Sequence, residues 1–340
     1  MIKKTLETYY KDGWLIKQTH PTMPLTIWNY SNITQYNRKW DEITLKCRGL
    51  VTDQFGTVIS RPFEKFFNIE ENEHTETKTF EVFEKMDGSL ITVFYYKEKW
   101  IVASRGSFTS EQAKAAQSLF DELDSSTLIP GYTYIFEYIA DWNRIVVDYK
   151  GQEKIVMLGA INILSGEEIC YKGLQIAANL LNCEVVKRYP STDISKLKDT
   201  IGNNQEGYVV KFTNGSRMKI KGLEYIRLHR IMTEVSTTSI WEYLSTGGDL
   251  ENLLTDVPDE FYNKIKSYEE FIKKQFKTVD NFCRSIMKEI MQHEPETQKS
   301  FAILVQTYPT KYHRLLYKMN NKADYSGLIW KLIKPKFIKL

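Results

Sequence analysis

The apolar residues Phe261, Ile265, Tyr268, Ile272, Phe276, Val279, Phe282, Ile286 and Ile290 recur every three or four positions. That spacing is one face of an α-helix, so a long amphipathic helix, or two in line, is expected from Pro258 to Gln292, with more helix from 298 onward. Up to residue 222 the texture is different. Apolar residues there alternate or run together over short stretches: LITVFYY, KWIVAS, YTYIFEYIA, RIVVDY, KIVMLGAINI, GYVVKF and RMKIK. These read as strands. Helices are expected among them at 110–123, with Ser110 as N-cap, and at 171–181. No regular βαβ alternation is visible. The expected class is therefore α+β, a domain of largely antiparallel sheets flanked by helices followed by an all-α C-terminal domain. The change of period sets the boundary at 1–235 and 236–340.

A chain of 340 residues accommodates two such domains. Its net charge of +3 excludes a polycation, so any nucleic-acid contact must come from basic residues gathered locally. One gathering is KLIKPKFIKL at 331–340, where Lys331, Lys334, Lys336 and Lys339 stand without an acid, near Trp330 and Phe337 as bases could stack on them. The cysteines form no CxxC pair and the histidines have no zinc-ligand spacing. The N-terminus lacks the apolar region of a signal peptide, and no run approaches the ~20 residues of a membrane span. A soluble, cytoplasmic protein in a reducing compartment, with no membrane partner, is expected.

KMDGS (85–89) places a lysine beside a tight Asp-Gly turn, between a strand at Thr79–Glu84 and another at Leu90–Tyr96. Alone it reads equally as a hairpin turn with a solvated lysine. GYVVKF, TNGS and RMKIK read as a second hairpin turning on Asn214-Gly215. If Thr213 pairs with Ser216, then Val210 faces Lys219 and Tyr208 faces Lys221. Glu206, Lys219 and Lys221 then share one face of the sheet. Two lysines and a carboxylate among apolar neighbours suit a phosphate site, although such lysines also occur on solvated faces.

Taken in order, KMDGS, FEY (136–138), EGYVV (206–210) and KIK (219–221) resemble the motifs of the covalent nucleotidyltransferases. CRGLV (47–51), SRPFEKFFN (60–68) and NRIVVDY (143–149) resemble the RNA ligase 1 family of T-even phages. The likeness spans roughly residues 45 to 230. It implies an adenylation domain and ATP-dependent joining of RNA 5′-phosphate and 3′-hydroxyl ends, with AMP carried on Lys85. The substrate expected is single-stranded RNA or a cleaved tRNA, as in RNA repair.

The same likeness implies the roles. Lys85 is the nucleophile, and Glu206 binds Mg2+ or Mn2+ directly or through water. Lys219 and Lys221 stabilise the α-phosphate, and Arg48 and Lys65 meet the β- and γ-phosphates. Glu137 takes hydrogen bonds from the ribose. Gly88 permits close backbone approach, and Tyr225 lies near the triphosphate or in the core. A free lysine is only about 0.04% neutral at pH 7, so cations from Arg48, Lys65, Lys219 and Lys221 are expected around Lys85. The sequence departs from the family at SRGS (104–107), where Arg105 replaces a lysine, and little of the C-terminal domain is matched. A DNA ligase and a capping guanylyltransferase share the Lys-x-Asp-Gly nucleophile, but SRPFEKFFN and a helical ending argue against both. A catalytically silent RNA-binding protein is the alternative of another class.

Overall fold

A computed structural model describes residues 2–71, 79–190, 193–248, 250 and 259–338. Pro258 and Lys339 lie outside these residues, as does the Phe261 side chain. The chain divides into two units, Met1–Ile226 and Arg227–Leu340, a division falling inside the helix Leu223–Glu234, whereas the change of period sets it after residue 235.

In the first unit the strands are β1 (Leu15–Thr19), β2 (Leu25–Tyr30), β3 (Arg48–Asp53), β4 (Val58–Ser60), β5 (Phe67–Asn68), β6 (Phe80–Lys85) and β7 (Ser89–Tyr96). They continue as β8 (Lys99–Ser104), β9 (Tyr132–Ile139), β10 (Lys154–Asn162), β11 (Glu184–Val185), β12 (Arg188–Tyr189), β13 (Gly207–Phe212) and β14 (Arg217–Lys221). They make three sheets, ordered β1-β2-β3-β4, β11-β10-β9-β7-β8 and β12-β6-β13-β14-β5. Pairing is antiparallel except between β10 and β11 and between β14 and β5. The α+β, largely antiparallel class is as expected.

The second sheet positions the site. Period-2 alternation along β9 sends Tyr134, Phe136 and Tyr138 into a core shared with Ala116 and Phe120 of the helix Glu111–Asp121 and with Leu174, Ala178 and Leu181 of the helix Tyr171–Leu181. Each large side chain buried there contributes roughly 1.5–3 kcal/mol. Ser110 caps the first helix by accepting the Ala113 N–H at 3.2 Å. Asn182 ends the second in the left-handed conformation, φ 58°. Elsewhere Phe94, Ile101 and Ala103 meet Leu25, Ile27 and Val51 of the first sheet.

Two strand-level expectations need correction. RIVVDY (144–149) is not a strand: it follows a single 3₁₀ turn at Asp141–Asn143 and runs irregularly. Its Val146 and Val147 N–H groups go to the Asp87 carboxylate at 2.8 Å each, not to a neighbouring strand. The second hairpin is also one residue out of the expected register. Phe212 bonds across the turn to Ser216, which puts Lys219 opposite Val209 and Lys221 opposite Gly207.

The second unit is helical: Thr237–Ser245, Asp259–Gln292, Gln298–Gln306, Thr310–Asn320 and Ser326–Leu332. Its core joins Cys283, Ile286 and Ile290 to Phe301, Val305, Leu315, Leu316 and Ile329. Cys283, and not Phe282, takes the core position, since 276, 279, 283, 286 and 290 keep the alternating three-four step. Phe282 stays 46% exposed against Tyr312. The Trp330 ring packs on Phe276 at 4.9 Å and is half-buried, while Phe337 is exposed. The four cysteines are free thiols, and among the described residues no helix is long and apolar enough to cross a membrane.

Candidate active site

Lys85 is the last residue of β6, and Ser89 the first of β7, yet these strands belong to different sheets. KMDGS is therefore a crossing between sheets and not a hairpin. Asp87 anchors the crossing. One carboxylate oxygen accepts the Val146 and Val147 N–H groups, the other accepts the Tyr225 hydroxyl at 2.8 Å, and the Asp87 N–H donates to the Tyr149 hydroxyl at 2.8 Å. Gly88 donates its N–H to Glu137 at 3.1 Å, and a Cβ there would run into the Tyr138 carbonyl. The backbone approached so closely belongs to β9. Ser89 and Asn143 share a hydrogen bond of 3.0 Å.

Across the third sheet Lys85, Gly207 and Lys221 form one row, so the two lysines flank a position with no side chain. Glu206 fills that position. In an unbroken strand it would point to the opposite face from its neighbour, but Gly207 has φ 146°, a conformation open to glycine. The carboxylate reaches Lys85 Nζ at 2.8 Å and Lys221 Nζ at 3.0 Å. Glu206 and Lys221 thus meet despite the register shift, by a glycine and not by alternation. The Lys85 side chain is 21% exposed and that of Glu206 only 4%, so a ligand can reach the nitrogen while the carboxylate behind it stays dry.

The immediate partner of Lys85 is this carboxylate, while Lys219, one of the expected cations, lies near enough for the two ammonium charges to act on each other. The lysine surrounded by cations is Lys219, whose ammonium burial, together with Lys65, Lys221 and Lys85, brings down to about 8. Glu137 on β9 is pushed up to about 7, mainly by burial; Lys85 and Arg48 oppose the shift and Glu206 and Asp87 add to it. Asp87 is raised by burial and by Glu206. Tyr225 is raised by burial and by the same two carboxylates, and the Lys221 ammonium sits 4.9 Å from its ring centre.

Arg48 opens β3, and its Nη1 is buried with no hydrogen-bond partner, an arrangement that invites an anion. Its guanidinium lies 5.7 Å from the Phe66 ring. The Lys65 ammonium rests among the rings of Tyr30, Trp40 and Phe67. Phe66 joins the cluster of Phe63, Ile135 and Ile161, and Phe67 walls the lysine. Arg105 is exposed, 6.0 Å from the Tyr30 ring centre.

Several positioning groups escape sequence reasoning. NRIVVDY carries most of them: Asn143, Tyr149 and the two valine amides hold the lysine turn, and Asp148 exchanges two backbone hydrogen bonds with the Asn204 side chain, at 2.8 and 2.9 Å, just ahead of Glu206. The motif is visible in the sequence, but its hydrophobic residues signal a strand.

Among the described residues no group of three or more His, Cys, Asp or Glu surrounds a single point. The dry Glu206 suits a hard cation that takes one or two carboxylates and finds its other oxygens on phosphate and water. Arg48, with its unpartnered Nη1, and the cations Lys65 and Lys219 suit the phosphates.

Comparison with known proteins gives a consistent likeness. A family model described as RNA ligase matches residues 46–226, more than half of the chain. A protein of Autographa californica nuclear polyhedrosis virus, whose name pairs a polynucleotide kinase with an RNA ligase, is 26% identical over 344 residues, covering 91% of this chain and 48% of its own. This chain thus spans about half the length of that relative. An RNA ligase of Rhodothermus phage RM378 is 25% identical over 361 residues, covering 80% of this chain and 81% of its own. Among solved structures, an archaeal ATP-dependent RNA ligase superposes with a TM-score of 0.52 at 14% identity, over 81% of this chain and 78% of that one; this likeness is one of fold.

Proposed function

Because the chain belongs to the RNA ligase family, whose match runs from before Arg48 to beyond Tyr225, we propose that it joins RNA 5′-phosphate and 3′-hydroxyl ends at the expense of ATP, with AMP passing through Lys85. The observation that carries this reading is the row Lys85–Gly207–Lys221 closed by Glu206, at the end of a strand whose following turn is tied down on every side.

Lys85 Nζ attacks the α-phosphorus of ATP; a P–N bond forms and the P–O bond to pyrophosphate breaks. The ammonium must first leave its 2.8 Å ion pair with Glu206 and give its proton to solvent. Lys221 and Lys219 sit two residues apart on one face and meet the charge gathering at the α-phosphate. Arg48 and Lys65 orient the leaving pyrophosphate, and Glu137 accepts from the ribose hydroxyls. Glu206 would hold Mg2+ or Mn2+, which when bound offsets charge on the α-phosphate and the leaving group. Tyr225, its hydroxyl given to Asp87, is a positioning residue for the turn. AMP then moves to the RNA 5′-phosphate, and the 3′-hydroxyl displaces it, so that AMP leaves with the proton lost by the hydroxyl. The RNA read this way is single-stranded or a cleaved tRNA, and the reaction serves RNA repair.

The test is self-adenylation. The protein is incubated with α-labelled ATP and a divalent cation and then denatured. Label is expected from ATP and not from GTP, removed by pyrophosphate and absent in Lys85→Ala. No label, even after pyrophosphate has stripped AMP already carried, would sink the ligase reading and favour a silent RNA-binding protein.

A further inference from the structure

Lys65 has no carboxylate within ion-pair distance among the described residues. Its ammonium lies 5.6 Å from the ring centre of Tyr30, 5.5 Å from that of Trp40 and 5.2 Å from that of Phe67. The rings brace one another edge to face, Tyr30 on Trp40 at 5.1 Å and Trp40 on Phe67 at 5.4 Å. The middle ring has a fixed mount. Trp40 directly precedes Asp41, the N-cap of the helix Glu42–Lys46, which accepts the Ile43 and Thr44 N–H groups and is held by the Tyr9 hydroxyl at 3.0 Å. Thr44 also bonds the Lys39 carbonyl at 2.8 Å.

A carboxylate beside Lys65 would hold it as firmly but would cancel the charge a phosphate needs. Aromatic faces attract an ammonium while leaving its charge in place. We propose that Trp40, flanked by Tyr30 and Phe67, is a positioning residue that sets the Lys65 ammonium for the β- and γ-phosphates of ATP. The proposal rests on the ligase reading and adds a consequence to it. Pyrophosphate has departed before strands are joined, so the cage serves the ATP-consuming half of the reaction and is idle in the sealing half.

The experiment separates the halves in the full chain. Self-adenylation is followed against ATP concentration, and sealing is followed with chemically pre-adenylylated RNA and no ATP, for wild type, Trp40→Leu, Trp40→Phe and Lys65→Ala. Trp40→Leu is expected to raise the KM for ATP about tenfold with kcat within about twofold, to seal pre-adenylylated RNA within about twofold of wild type, and to be largely rescued in Trp40→Phe. An unchanged KM, equal loss in both halves, or a phenylalanine no better than leucine overturns the proposal. If wild type takes no label from ATP while Trp40→Leu folds normally, the ligase reading itself has failed, and this proposal with it.

Discussion

The two units hold their polar groups in different ways. In the first, the contacts that shape the site close long loops: Asp87 reaches Val146 and Val147 across 59 and 60 positions and Tyr225 across 138. In the second, the buried Glu269 pairs with Lys266 and Lys273, and Asp280 with Arg284, three or four residues along the same helix. Among the described residues its distant bonds include Trp241 to the Trp330 carbonyl and Tyr325 to Asp280, which pin helices together. The difference teaches where a small change should spread. In the first unit one displaced backbone atom disturbs several groups at once, whereas in the second it stays within a turn or two.

The same added methyl tests this in both. At Gly207 a Cβ would meet the Ile220 carbonyl, and the φ of 146° suits glycine. Gly207→Ala is expected to destabilise by about 3 kcal/mol or more and to abolish self-adenylation, because Glu206 can then no longer reach both lysines. At Gly327, in the helix Ser326–Leu332, a Cβ meets nothing within 4 Å. Gly327→Ala should stabilise by about 0.4–1 kcal/mol and leave adenylation alone. Urea unfolding of both variants reads the contrast. Equal and small effects would break it.

A smaller effect is expected from pH. Glu137 has a folded-state pKa of about 7, above its ordinary value, so the stability tied to its proton is complete at low pH and is lost as pH rises towards 7. Lys219, at about 8, lies below its ordinary value, so folding gains stability as pH rises from about 8 towards 10.5. On the proposed roles the activity requirements run the other way: Glu137 accepts best from a ribose when ionised, and Lys219 meets phosphate when charged. Self-adenylation kcat/KM for ATP should therefore peak between pH of about 7 and 8. Glu137→Gln should flatten the acid limb and Lys219→Arg the alkaline one. Limbs unmoved in both variants would assign the titrations elsewhere. The helical unit should contribute nothing to this profile.

The contrast between units also explains what could be read in advance. A helix repeats its environment every few residues, so the long helix and its core positions follow from spacing alone, down to a slip between Phe282 and Cys283. That spacing says nothing of purpose. In the first unit the chemistry-bearing residues stood out as motifs, and Lys85, Glu206 and Lys221 do meet. What escaped depends on distance in sequence. RIVVDY has a strand's composition, but the Asp87 carboxylate some sixty residues away and the Asn204 side chain take its N–H groups from a ladder. The first sheet escaped because strands such as Leu15–Thr19 and Val58–Ser60 are short and mixed in polarity. Trp40 carries no motif, and its place beside Lys65 follows only from the tertiary fold.

The smallest effect is expected in the basic tail, and it sharpens the comparison by asking whether the helical unit does more than fold. The tail is fastened by its backbone: Thr237 donates its hydroxyl to the Lys336 carbonyl at 2.6 Å and exchanges 2.9 Å bonds with Ile338. Of its side chains, Lys334 lies 4.8 Å from the Trp241 ring centre, while Lys331 and Lys336 project into solvent. Replacing Lys331, Lys334 and Lys336 by alanine therefore keeps the clasp, unlike a truncation of 331–340, and should cost less than about 1 kcal/mol of stability. Self-adenylation should be untouched. If the three ammonium groups meet phosphates, RNA joining should weaken, and the slope of log affinity against log salt should fall by up to about 2, roughly 0.7 for each phosphate of a single strand that is no longer neutralised. An unchanged slope would leave the tail a structural strap and return RNA capture to the first unit. A lowered slope with intact adenylation would divide the labour, with chemistry in the unit of long-range contacts and capture in the unit of local ones.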